Sequence, residues 1–101
     1  MGLATKQIAN IYKGLWSTPD VTAQTVVRNL LISSLSPHRK KVYGRVYDSG
    51  KKGITARQIA DEWKTEVASQ SNALKELYDM DLVIRSENHD ADGLFYVYRV
   101  P

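Results

Sequence analysis

Cysteine is absent from the 101 residues of the chain. Its absence excludes disulfide bridges and thiolate zinc sites and is compatible with a reducing compartment. Long apolar runs are absent as well, since stretches such as Leu30–Ile32 fall far short of the roughly 20 residues that span a bilayer. A basic flank followed by an apolar run, which marks a signal peptide, does not open the chain. We therefore expect a cytoplasmic protein with no membrane partner.

Residue patterns typical of catalysis and of metal binding are also missing. His38 and His89 lie far apart and have no further histidine or any cysteine to build a metal site with. There is no nucleophile elbow and no glycine-rich phosphate loop. Asn88–Gly93 matches the opening of a calcium loop, but the twelfth position, which needs a bidentate glutamate, is Arg99. We predict a protein that is not an enzyme and needs neither cofactor nor metal.

Charge is divided unevenly along the chain, although the net charge is only +3. Residues 1–57 hold ten Lys and Arg and two acids, whereas residues 58–101 hold four Lys and Arg and nine acids. Such a division indicates that the N-terminal half meets a polyanion such as nucleic acid. The alternative is a dipolar surface that pairs with itself or with a protein partner.

Two amphipathic helices are predicted within residues 1–35. Apolar residues recur at helical spacing over residues 4–16. After a break at Ser17–Asp20, a second helix runs to about Leu35. Its wide apolar side predicts that it is well buried; the residues on that side are Ala23, Val26, Val27, Leu30, Leu31 and Leu35.

The helices of residues 36–101 are delimited by capping signals. Ser36-Pro37 starts a helix that runs to about Asp48, with Val42, Tyr43, Val46 and Tyr47 predicted to face inward. Thr55 and Gln58 form a capping box that starts a helix over 56–63. A turn at 64–65 leads to a further helix over about 66–80, with Val67, Leu74, Leu77 and Tyr78 as expected core positions.

Short strands accompany these helices. Ile54 predicts a strand of one or two residues, Leu82–Arg85 a longer one, and Leu94–Val100 its hairpin partner. The residues between the last two, Glu87–Gly93, are polar and predict a loop. Ile54 can add an edge to the hairpin and so make a three-stranded sheet against three helices.

Two segments, Ile54–Ala60 and Ala73–Val83, resemble the DNA-binding domains of MarR-type and ArsR-type bacterial regulators. Such domains have a threonine-capped helix ending in an Ile/Leu-Ala pair, then a Ser/Thr-rich recognition helix, Leu-x-x-Leu and an apolar pair before a β-hairpin wing. The closing strand, Tyr96–Val100, is similar too. The resemblance covers about two-thirds of the chain. It implies a winged helix-turn-helix over 36–101, in a mainly α protein with a small antiparallel β wing (α+β) and two additional N-terminal helices.

The recognition helix, about 66–80, is expected to lie in the major groove. Its exposed first turns are small or hydrogen-bonding, which suits close approach to base edges. The alternative is an ordinary solvent-facing helix surface. The predicted base-contacting residues are Ala68, Ser69, Gln70, Ser71, Asn72 and Lys75.

Phosphate contacts are expected mainly from basic residues outside this helix. The predicted phosphate-binding residues are Arg39, Lys40, Lys41, Lys51, Lys52, Thr55, Arg57 and Arg85. A solvated run of charges is the alternative interpretation. One departure concerns the wing, because Glu87–Gly93 carries three acids where the family usually has a basic residue for the minor groove.

The predicted function is that of a transcriptional regulator that binds double-stranded DNA in a sequence-specific way as a homodimer. Residues 1–35 are expected to mediate dimerisation, because a small winged domain cannot cover both of their apolar faces and similar regulators dimerise through helices outside that domain. A weak echo of residues 58–77 in residues 7–31 leaves open a second helix-turn-helix. The alternative function is a protein-interaction module in a replication or phage-related assembly.

Overall fold

The computed structural model describes residues 4–18 and 20–101. Within them the chain forms five α-helices, a short 3-10 turn and one antiparallel pair of strands. The mainly helical α+β class is thereby confirmed. The elements are α1 (Thr5–Leu15), α2 (Val21–Ser34), α3 (Pro37–Asp48), the 3-10 turn (Gly50–Lys52), α4 (Ala56–Trp63), α5 (Val67–Asp79), β1 (Ile84–Asp90) and β2 (Gly93–Arg99).

Local capping explains where the helices begin. Asp20 starts α2, because its carboxylate accepts a hydrogen bond of 2.9 Å from the Ala23 amide. Ser36 starts α3 in the same way, with proline at the first helical position. The predicted bounds of α3 and α4 agree with the structure, and those of α1, α2 and α5 agree to within one residue or so.

One hydrophobic core joins the N-terminal helices to the rest of the chain. Its fully buried residues come from α2 to β2 and include Leu31, Val42, Ile59, Leu74 and Leu77. Each buried aliphatic side chain contributes about 1.5–3 kcal/mol relative to its exposed state. Ile8, Ala9 and Tyr12 of α1 and Leu35 after α2 belong to the same core.

The prediction that α2 is well buried is wrong. Leu31 and Leu35 are buried, but Val26 and Leu30 are 54% and 56% exposed. The helix packs against the molecule along one side only, and a helix of this length leaves its opposite side open unless another element covers it. Tyr47 of α3 is likewise expected inside but is 64% exposed, although Tyr43, one turn earlier on the same side of the helix, is buried.

The polar segment Glu87–Gly93 is largely strand, so the loop prediction is wrong. β1 and β2 pair in register from Ile84 opposite Arg99 to Asp90 opposite Gly93, which leaves a tight turn at Ala91-Asp92. No residue at this end of the hairpin is buried, since Glu87–Asp90 are exposed and their partners Phe95 and Tyr96 are half-buried. Polarity there cannot distinguish a strand from a loop, because no face is buried and no alternation arises.

Ile54 lies beside β2 as predicted, but the sheet formed by the described residues has two strands and not three, because the pairing is limited to one residue. Ile54 exchanges two backbone hydrogen bonds of 2.9 Å with Tyr98 in an isolated bridge. Gly53, just before it, has φ +75° and ψ −179°, a conformation essentially restricted to glycine. The bridge attaches the hairpin to the beginning of α4.

Candidate nucleic-acid interface

A three-residue turn joins α4 to α5. At the start of α4, the Gln58 amide donates to the Thr55 hydroxyl at 3.1 Å, and Thr55 in turn donates its amide to Gln58 Oε1 at 2.9 Å. Lys64 ends the helix in a left-handed conformation, with φ 56° and ψ 50°. The Thr65 amide then donates to the carbonyl of Ala60 at 2.9 Å. This geometry leaves the first turns of α5 at the surface.

The outward face of α5 is made of small and uncharged side chains over its first two turns. Five of the six residues predicted to contact bases are exposed, namely Ala68, Ser69, Ser71, Asn72 and Lys75. Beyond them the helix becomes acidic, with Glu76 and Asp79. The part of α5 that can approach another molecule closely is therefore its N-terminal half.

Gln70, the sixth of these residues, is not available for base contacts. It is 2% exposed, and its Oε1 lies 3.0 Å from His38 Nε2 while its Nε2 donates to the Thr65 hydroxyl at 2.8 Å. Position 70 shares the buried side of the helix with Leu74 and Leu77, at i+4 and i+7. That spacing is present in the sequence and could have corrected the prediction. His38 and Thr65 are the polar partners that sequence reasoning missed.

The basic side chains of α3 differ in the groups that they contact. Arg39 forms an ion pair with Glu76 of α5, so it is not free for phosphate in this structure. The Lys41 ammonium lies 4.3 Å from the centre of the Trp63 ring, while Lys40 is exposed. The phosphate contact predicted for Arg39 would require this ion pair to open.

Arg45 shows the same kind of pairing. Its Nε and Nη2 donate to the two carboxylate oxygens of Glu62 at 2.8 and 3.2 Å. The hydrogen bond from Arg45 holds the pKa of Glu62 below its usual range. This pair lowers the net positive charge between α3 and α4.

The remaining predicted phosphate ligands lie around the start of α4. Lys51 and Lys52 are exposed in the 3-10 turn, and Arg57 is exposed in the first turn of α4. The hairpin turn lies beside the start of α4, since Asp90 and Asp92 line a cleft of about 300 Å³ together with Thr55, Arg57 and Gln58. Acidic side chains thus lie near Arg57, one of the cations expected to hold phosphate.

Arg85 is held between two aromatic rings. Its guanidinium carbon lies 4.0 Å from the centre of the Tyr78 ring and 4.1 Å from that of Tyr96. Such stacking is a cation–π interaction. It connects the end of α5 to both strands.

No group of three or more His, Asp and Glu that could hold a metal ion occurs within residues 4–18 and 20–101. None of the helices in those same ranges combines the length and the apolar character needed to cross a membrane. The chain matches no protein family, no curated protein and no solved structure in comparisons with known proteins.

Proposed function

We propose that residues 36–101 form a winged helix-turn-helix that binds double-stranded DNA with α5 in the major groove. The observation that carries the proposal is the exposed, small and polar face of the first turns of α5, which follows a three-residue turn and precedes a hairpin. Recognition helices approach base edges with their N-terminal residues. The side chains on that face are small and uncharged as far as Asn72, which permits that approach.

Ser69, Ser71 and Asn72 supply the hydrogen bonds that distinguish bases in this proposal. Asparagine can bond to adenine in a bidentate manner, and serine can bond to any base. Lys75 and Ala68 complete the contacting face. Phosphates are held by the exposed cations, Lys40, Lys41, Lys51, Lys52 and Arg57, while the hydroxyl of Thr55 and the edge of Arg85 add neutral and charged donors.

The protein acts as a homodimeric regulator in this proposal, with residues 1–35 at the dimer interface. The support is the outer side of α2, where Val26 and Leu30 are exposed and where Thr22, Asn29 and Ser33 carry no charge. In a two-fold dimer the same surface of each protomer forms the interface. An uncharged surface therefore avoids repulsion between like charges. Replacing Val26 and Leu30 together by glutamate should convert the dimer to a monomer in analytical ultracentrifugation. Asp61→Lys on α4, the control, should leave the dimer intact.

The test of DNA binding is fluorescence anisotropy with two probes. One is a duplex enriched by the protein from a library with a randomised centre, and the other is the unselected library, each at low and at physiological salt. Asn72→Ala should reduce the preference for the enriched duplex by about five- to a hundred-fold, the range of one bidentate base contact. Asn10→Ala on α1 is the matched control. An unchanged preference in Asn72→Ala would refute the assignment of base contacts.

A second candidate is a winged helix that binds another protein. It is favoured by the pairing of Arg39 with Glu76 and of Arg45 with Glu62, and by the acids at the hairpin turn. These features weaken the attraction to phosphate. Absence of binding to either duplex at low salt would favour this candidate over DNA binding.

A further inference from the structure

A chain of hydrogen bonds crosses the three helices at the beginning of α5. His38 of α3 lies 3.0 Å from the Gln70 carbonyl oxygen, and the Gln70 amide nitrogen donates to Thr65 at 2.8 Å. The Thr65 amide donates to the carbonyl of Ala60 in α4 at 2.9 Å. One buried side chain thus links α3, the turn and α4.

Gln70 is unusual because, apart from tyrosines, it is the single polar side chain that is buried within the described parts of the chain, 4–18 and 20–101. Leu74 and Leu77, on the same side of α5, contact the core through apolar packing, which has no preferred direction. Hydrogen bonds weaken steeply when their angle or length changes. Gln70 is therefore the group that can determine the rotation of the first turn.

The start of α5 has little other support. Glu66 occupies the N-cap position, and its side chain makes no capping hydrogen bond. The first four amides of a helix have no partner within the helix. Without Gln70, the position of the first turn would depend on apolar contacts one or two turns away.

We propose that Gln70 is a positioning residue for DNA recognition, which sets the first turn of α5 so that Ser69, Ser71 and Asn72 face the base edges. This inference rests on the proposed function. It separates two roles on one helix, because the outward residues contact DNA and Gln70 orients them. Displacement of contacting groups by about an ångström is enough to lose a specific geometry.

Stability is not the main role of this chain of hydrogen bonds. His38 and Thr65 are both exposed, so each can bond to water when Gln70 is replaced. A substitution that leaves no buried partner unsatisfied costs little stability. Gln70→Met keeps the length of the side chain and removes both of its hydrogen bonds.

The experiment compares the wild type with Gln70→Met and with Leu74→Met, which changes an apolar residue on the same side of the helix. Amide hydrogen exchange should become about ten-fold faster at Thr65 and Ser71 in Gln70→Met and stay unchanged at Leu77. The preference for the enriched duplex should fall about ten-fold, while affinity for the unselected library stays within about two-fold, since phosphate contacts supply the latter. Leu74→Met should show neither effect.

A second readout follows the imidazole of His38 by NMR. With the Gln70 amide nitrogen donating to Thr65, the side-chain oxygen of Gln70 lies 3.0 Å from His38 Nε2, and this contact favours the tautomer in which Nε2 carries the proton. In Gln70→Met the population of that tautomer should fall, because methionine offers no oxygen to His38 Nε2. The conservative variant Gln70→Glu retains an oxygen toward His38 and should recover part of the duplex preference.

Three results would overturn the inference. Normal exchange at Thr65 and Ser71 in Gln70→Met would show that the start of α5 does not depend on this side chain. Faster exchange along the whole helix to Leu77 would show a general structural role. Faster exchange only at the start with unchanged duplex preference would show that the orientation does not serve recognition. If the wild type binds neither duplex, the DNA function fails, and the exchange data still decide whether Gln70 sets the start of α5.

Discussion

The variant Gly53→Ala should measure how much the close packing of β2 against Gly53 contributes to the stability of the protein. A Cβ added at Gly53 would lie 2.6 Å from Val97 Cγ1, 2.8 Å from Arg99 Cγ and 2.9 Å from the Tyr98 carbonyl oxygen. The last of these is backbone, so β2 has to move away from Ile54. The backbone conformation at φ +75° adds strain for any residue with a Cβ.

The expected loss follows from these two effects. Backbone strain of this kind costs about 1–3 kcal/mol. Separating β2 from Ile54 weakens two hydrogen bonds, each worth about 1 kcal/mol. We expect Gly53→Ala to reduce the free energy of unfolding by about 3–5 kcal/mol, a large part of the 5–15 kcal/mol typical of a small domain.

Gly50→Ala is the matched control. Gly50 also has a positive φ, +60°, but an added Cβ would meet no atom within 4 Å. Only the strain of the left-handed conformation remains, about 1–2 kcal/mol. Urea unfolding followed by the fluorescence of Trp16 and Trp63 and by circular dichroism measures both variants. Equal losses within about 0.5 kcal/mol would refute the reasoning, because they would show that the hairpin moves away from Gly53 at no cost.

Three further predictions concern side chains. Thr55→Ala should destabilise the protein by about 1 kcal/mol in urea unfolding by removing a helix cap, and Thr55→Ser should restore most of it; equal stability of both variants would contradict the capping role. Arg85→Met should lose about 1–2 kcal/mol of cation–π stacking while keeping its apolar length, with Arg85→Lys intermediate; a change below about 0.3 kcal/mol would show that the stack is not stabilising. The pKa of Glu62 is lower in the folded state because of Arg45, so their pair stabilises the fold above the unfolded pKa and ceases to do so as the pH falls through the folded pKa. Stability of Glu62→Gln should consequently depend less on pH in the acidic range, and an unchanged pH profile would contradict the pairing.

The helices could be predicted from the sequence because their signals are local. Ser36 with its following proline, and Thr55 with Gln58, place their hydrogen-bonding groups within three residues of the amides that they cap. The apolar spacing along α5 identified Leu74 and Leu77 as core, but Val67 and Tyr78, predicted with them, are exposed because they lie at the margin of the buried side. The exposure of Ser69 and Asn72 followed from the same periodicity.

Only the tertiary structure could decide which polar side chains find partners inside the molecule. Gln70 meets His38 across 32 residues of sequence, and Arg39 meets Glu76, because packing brings α3 beside α5. No local pattern encodes the relative placement of two helices, which arises from the shape of the whole core. The exposed strand Glu87–Asp90 is a similar case, since its pairing partner rather than its own composition makes it a strand. The sequence alone thus determined the helices and the polar face of α5, and the tertiary packing decided the extent of the hairpin and which polar groups remain free to contact another molecule.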